Sequence, residues 1–185
     1  MITLTTAVYD KNINDIGWFL EFDHPLVTEK LIIVNNLTDW NTLPKQPNVR
    51  VIFSKDYEQE VNKYFKLNMN PRVTGYYYSI HHFVALLESR GDYILSISSD
   101  SFEKYNDTFI EEGIKALDDQ DTLAKIHGTG TRVFCDNVWF ANKDKLKDID
   151  FNTKFEGDFT PHYGGESFEK RISCYLHNTN FVLSI

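Results

Sequence analysis

Four short runs of branched and aromatic apolar residues punctuate the first hundred positions: 2–8 (ITLTTAV), 31–34 (LIIV), 49–53 (VRVIF) and 93–97 (YILSI). Between them the apolar residues recur at helical spacing. Ile13, Ile16 and Leu20 form one such row, with Trp18 and Phe19 on neighbouring faces; Tyr57, Val61, Tyr64 and Phe65 form a second. Ile80, Phe83, Val84 and Leu87 form the clearest row, with Gly91 where a helix C-cap belongs. Strand alternating with helix predicts an α/β sheet.

The second half has a different pattern. Thr108 to Glu111 reads as a capping box that opens a helix through Phe109, Gly113, Ile114 and Leu117. Residues 125–127 and 131–141 read as strands, with Gly128 and Gly130 turning between them. Residues 142–163 are polar and irregular; Phe168, Ile172, Tyr175 and Leu176 mark a last helix, and 181–185 a last strand.

The chain has 185 residues, of which 42% are hydrophobic and 15% aromatic, enough for the core of one domain and too apolar for general disorder. A net charge of −8 argues against a protein that lives on phosphate contacts with nucleic acid, so no nucleic-acid partner is expected. Two cysteines, Cys135 and Cys174, make neither a disulfide framework nor a C-x-x-C site, which fits a reducing, cytoplasmic location. The apolar start is too short and uncharged for a signal peptide, and no apolar run nears the roughly 18 to 20 residues of a membrane span, so no transmembrane segment is expected.

In open α/β sheets ligands bind beyond the carboxyl ends of the strands, where the strand order switches. Four places qualify. Val8, Tyr9 and Asp10 end the first strand; an aromatic and a carboxylate there suit a base and its N–H, and equally a packed Tyr and an N-cap Asp. Asn35 to Asp39, with Asn36 and Asp39, offers polar groups past the second strand, and equally an ordinary turn. Ser98 to Ser101 follows the fourth strand, and Asp100 there can hold a divalent cation through oxygen or simply cap a turn. Gly164-Gly165-Glu166 opens the last helix; Glu166 fits a general base kept ionised by the helix N-terminus, and equally a helix-start acid.

Other chemistries lack their signatures. The six histidines include no His-x-x-x-His or His-x-His pair, so a zinc site is unsupported. His81 and His82 lie off the apolar row of their helix and suit either its surface or a pocket wall. A Gly-x-x-x-x-Gly-Lys loop, a Gly-x-Gly-x-x-Gly turn and a Gly-x-Ser-x-Gly elbow are all absent, against P-loop nucleotidases, dinucleotide dehydrogenases and α/β-hydrolases.

Taken in order, these segments resemble the GT-A fold glycosyltransferases, especially the inverting family-2-like group. ITLTTAVYDKN resembles their first strand and nucleotide loop, and LIIVNNLTD their second strand with its VDDGSTD turn, here with Asn35 and Asn36 for the two acids. SIHHFVALLESRGDYILSISSDS resembles the helix and strand ending in GDYILFLDSD. FCDNVWFANKDKLKDI and YGGESFEKRISCYLHNTNFVLSI resemble the acceptor-side strand and the GGED helix with its closing strand. The resemblance implies a single-domain, Rossmann-like mixed sheet flanked by helices over 1–185, with a nucleotide-binding half to about 101 and an acceptor-side half beyond.

It further implies transfer of a sugar from a nucleotide-sugar donor to a glycan or other hydroxyl acceptor, with inversion. Val8, Tyr9 and Asp10 with Asn36 would hold the base and ribose, Asp39 and Ser98 would belong to the same nucleotide-sugar site, and Asp100 would serve the diphosphate. Asp100 would bind Mn²⁺ or Mg²⁺, and Glu166 would be the catalytic base. Two departures stand out: Ser98 replaces the first acid of the DxD motif, and Ser167 the second acid of the Glu-Asp pair. They give the alternative its content, a non-catalytic nucleotide-sugar or glycan-binding protein that kept the fold. A nucleotidyltransferase ranks behind both, because Tyr9-Asp10-Lys11-Asn12 is not a Gly-rich basic loop.

Overall fold

The computed structural model describes residues 1–9, 13–36, 45–64, 74–99, 110–111, 113–115, 123–124 and 138–147. They form a mixed α/β sheet flanked by helices, as the alternation predicts. The strands are β1 (Ile2–Tyr9), β2 (Val27–Asn36), β3 (Val49–Phe53), β4 (Tyr93–Ile97), β5 (Leu123–Ala124) and β6 (Val138–Asn142). Their order is β3-β2-β1-β4-β6-β5. β3, β2, β1 and β4 run parallel, and β6 is antiparallel to both β4 and β5. The helices are α1 (Gly17–Glu21), α2 (Glu58–Tyr64), α3 (Thr74–Glu88) and α4 (Lys143–Lys147), with 3-10 turns at Ile13–Ile16 and Ser54–Tyr57. Among the described residues no helix is long and apolar enough to cross a membrane.

Successive side chains of a strand point to opposite faces, so each buried strand feeds two cores. One face carries Leu31, Ile33, Ile52 and Ile94, which pack against Val61 of α2 and Ile80, Phe83 and Val84 of α3. The other carries Ile2, Leu4, Val8, Ile32, Val34, Leu95 and Ile97, covered by Ile16 and Phe19. Each such side chain contributes about 1.5–3 kcal/mol on leaving water.

Three details depart from the sequence reading. Ile16 and Phe19, not Leu20, are the buried pair of the first helical segment; they are the i, i+3 neighbours that straddle the start of α1 and share one face. β2 is longer than its apolar run; it begins at Val27 and includes the buried Glu29 and Lys30. Gly91 is not the C-cap of α3, which ends at Glu88, where the Ser89 N–H and hydroxyl both donate to the Ala85 carbonyl (3.0 and 2.6 Å). A Cβ on Gly91 would lie 2.7 Å from the Thr3 backbone nitrogen and 2.8 Å from the Met1 carbonyl oxygen. Glycine is needed there because two backbones touch.

Candidate functional site at the carboxyl ends of the parallel strands

Because β1 to β4 run parallel, their last residues gather at one edge of the sheet. The switch in order falls between β1 and β4, which have β2 and β6 on their outer sides. Their mutual ladder ends at Thr5↔Ser96. β1 nevertheless continues through Thr6, Ala7, Val8 and Tyr9, paired with β2, while β4 stays paired with β6 to Ile97↔Val138. Each strand thus follows its outer neighbour, and the sheet parts at the switch point, the place where such sheets take ligands.

Polar groups cluster at this edge with incomplete pairing. Thr6 is 2% exposed, and its hydroxyl has no hydrogen-bond partner. A register shift between Val8 and Tyr9 sets Val8 opposite Val34 but Tyr9 opposite Asn36. The bulge leaves Asn35 without an opposite residue, a device that re-aims side chains beside sites. The Asn35 amide nitrogen lies 3.5 Å from His81 Nδ1, a weak contact, and its Oδ1 is buried with no hydrogen-bond partner. The Ser54 hydroxyl donates to the Val34 carbonyl at 3.2 Å. The Trp18 indole N–H donates to the Ser99 carbonyl at 2.9 Å, linking α1 to the end of β4.

Beneath α3, Trp139 of β6 is fully buried and donates its indole N–H to Nδ1 of the equally buried His82 at 3.0 Å. An indole nitrogen only donates, so this bond requires a bare, accepting Nδ1 on His82. The ring of His81 lies 3.8 Å away, centroid to centroid.

The amino end of the same strands is built differently. The Glu29 carboxylate is buried in β2 and accepts the Thr3 hydroxyl (2.8 Å) and the Arg90 N–H (3.0 Å). The Thr3 hydroxyl in turn accepts the Gly91 N–H at 2.9 Å. Arg50 pairs with Glu29 (3.2 Å) and Glu88 (3.4 Å) and donates to the Glu88 carbonyl. The Arg50 Nε–H is not aimed along the line to Glu29 Oε1, so this contact is an ion pair rather than an aligned hydrogen bond. On the other face the Lys30 ammonium donates to the Leu20 carbonyl at 2.6 Å, a cation at the end of α1. Burial pushes the Lys30 ammonium below its ordinary value, with the Asp23 carboxylate acting the other way.

Of the residues singled out for binding, four fall in the described part. The Val8 side chain is fully buried in the second core, so only its backbone can face a ligand. Tyr9 and Ser98 are half-buried at the tips of β1 and β4, and Asn36 pairs with Tyr9 at the tip of β2. Asp10, Asp39, Asp100 and Glu166 lie outside the described residues, as do the elements expected at 125–127 and 168–185 and the part of the strand expected at 131–141 that precedes Val138. For a divalent cation the described tips offer the Ser98 hydroxyl and no carboxylate. Neutral oxygens alone do not make a Mg²⁺ or Mn²⁺ site, and among the described residues no group of three His, Cys, Asp or Glu could hold a metal. Sequence reasoning passed over Thr6, Trp18 and the bond between His82 and Trp139. Their roles depend on where β1 leaves β4, and no local pattern announces that.

No protein family matches the chain by sequence, and no curated protein does. Among solved structures it is similar to an active-site mutant of LgtC, with 16% identity and a TM-score of 0.42 over 80% of this chain and 60% of that one. It is also similar to the galactosyltransferase LgtC in complex with donor and acceptor sugar analogs, with 16% identity and a TM-score of 0.39 over the same shares. The chain therefore spans about 60% of the length of those structures.

Proposed function

We propose that this chain is a glycosyltransferase that moves a sugar from a nucleotide-sugar donor to an acceptor hydroxyl. The observation that carries the reading is the parting of β1 and β4 at the switch point, with the Thr6 hydroxyl buried and unpartnered beside it. A polar ligand entering there meets the two tips that the sequence marks for the two parts of a nucleotide. Tyr9, Asp10, Asn36 and Asp39 would take the nucleoside, and Ser98 and Asp100 the diphosphate. Glu166 would accept the acceptor hydroxyl's proton as that oxygen attacks the anomeric carbon from the face opposite the leaving group. The bond from the anomeric carbon to the phosphate oxygen breaks, and the nucleoside diphosphate leaves with its electron pair. The carbon is inverted. A divalent cation, where one is used, would be held by Asp100 and would offset the charge of the leaving diphosphate.

A thermal-shift series with nucleoside diphosphates and their sugars, each with and without Mn²⁺, tests ligand and metal together. A ligand at a hundred times its Kd stabilises by about 2.7 kcal/mol, which raises Tm by about 5–10 °C in a chain of this size. No shift with any of them overturns the reading. Glu166→Gln is expected to keep the shift and lower transfer by about 10²–10⁴-fold; transfer at the wild-type rate removes Glu166 from its role. The replacement of two motif acids by Ser98 and Ser167 favours a second reading, a binding protein of the same fold. Calorimetric binding of a nucleoside diphosphate with neither transfer nor hydrolysis would establish that one.

A further inference from the structure

Beyond Thr5↔Ser96 the backbones of β1 and β4 no longer bond to each other, yet the segments that follow them are tied together. The tie is the Trp18 indole. After β1 the chain folds back through the 3-10 turn Ile13–Ile16 into α1, and Ile16 and Phe19 sink into the second core at 4% and 0% exposure. Trp18, between them, is therefore carried on an anchored element. Its N–H reaches the Ser99 carbonyl at 2.9 Å, across 81 positions of sequence. Ser99 is 7% exposed and directly precedes Asp100. A peptide unit is planar and turns as one piece, so holding the Ser99 carbonyl holds the unit that leads into the segment assigned to the diphosphate. The bond is part-buried, and the Ser99 carbonyl, on a residue 7% exposed, loses its indole donor when the N–H is removed.

We propose that Trp18 is a positioning residue: it sets the β4 tip against the β1 tip, and so tunes the phosphate side of the site without touching the nucleoside side. The inference rests on the nucleotide-binding reading above. It predicts a selective defect rather than a general one. Trp18→Phe keeps an aromatic ring and removes the donor. Affinity for a nucleoside diphosphate should fall five- to twentyfold, while affinity for the parent nucleoside, followed by NMR titration, should stay within about twofold. In the ligand-free protein, amide exchange should quicken over 97–101 and stay unchanged at Thr3, Glu29 and Gly91.

Equal losses for nucleoside and diphosphate, or no loss for either, would overturn the proposal. Wild-type protein that binds neither would overturn the nucleotide reading first, and the tether with it, so the two failures are told apart by the wild-type arm. If Trp18→Phe does not fold, the same measurements on Trp18→benzothienylalanine, a near-isostere with sulfur in place of the N–H, decide the matter.

Discussion

The two ends of the same parallel strands are finished in opposite ways. At the amino end a buried carboxylate, Glu29, is answered by the Thr3 hydroxyl, the Arg90 N–H and the Arg50 guanidinium, and the Gly91 backbone closes onto Thr3. At the carboxyl end the β1–β4 ladder stops short, and the Thr6 hydroxyl and the Asn35 carbonyl oxygen are buried without hydrogen-bond partners. Unmade hydrogen bonds in a low-dielectric interior cost stability. Both ends carry buried polar atoms without an aligned hydrogen bond, but at the amino end Glu29 Oε1 and Arg50 Nε face each other in an ion pair, whereas at the carboxyl end the Thr6 hydroxyl and Asn35 Oδ1 stand without one, which makes the amino end the stabilising pole and the carboxyl end the receptive one. The account predicts that substitutions at the amino end show up in stability and those at the carboxyl end in ligand binding.

The largest effect belongs to Glu29→Ala. Removing the carboxylate leaves the Thr3 hydroxyl and the Arg90 N–H without their acceptor and takes from Arg50 one of its two carboxylates, a loss of about 2–4 kcal/mol in all. Chemical denaturation should show it as a lower midpoint with an unchanged slope. A loss under about 1 kcal/mol would mean that the amino end is not the stabilising pole. Trp139→Phe is intermediate. It keeps most of the ring but takes the donor from His82 Nδ1, and should cost about 1–3 kcal/mol in the same measurement. Because Trp139 lies opposite Ser96, where the β1–β4 ladder stops, this variant probes the boundary between the two poles. Thr6→Val should be the mildest for the ligand-free protein. It removes a hydroxyl with no partner in a side chain of the same shape, so stability should hold within about 0.5 kcal/mol or rise. Its cost should fall on ligand affinity instead. A clear drop in apo stability would break the contrast between the ends.

How far the sequence could be read differs along the same lines. The parallel strands were legible because strands covered on both faces are apolar on both, and Leu31 to Val34 or Ile94 to Ile97 announce that directly; β3, at the sheet edge with only Ile52 buried, was legible from its β-branched run. The first four residues of β2, Val27 to Lys30, were not legible. Glu29 and Lys30 look like loop residues until their partners, brought from Thr3, Arg50, Arg90 and the end of α1, are in place. Gly91 was legible as a glycine with a reason, but the reason was wrong. It answers to a neighbouring strand 88 positions away, not to the helix three residues before it.

The site was legible as a set of strand ends and no further. Tyr9, Asn36 and Ser98 do sit at the tips of β1, β2 and β4, whereas the Val8 side chain belongs to the core, as alternation along a buried strand requires. The one-residue bulge after Val8 decides which face each neighbouring tip residue serves, and it leaves no mark in composition or periodicity. Trp18 reads locally as one more aromatic on a short helix; its bond to Ser99 exists only once the sheet has formed.

Amide hydrogen exchange with and without a nucleoside diphosphate tests the central claim most directly, since it reads both poles at once. The account predicts new protection at Thr6 to Tyr9 and at Ile97 to Ser99, and none at Thr3, Glu29 or Gly91. Protection centred on the amino end, or an unchanged carboxyl end under saturating ligand, would contradict it.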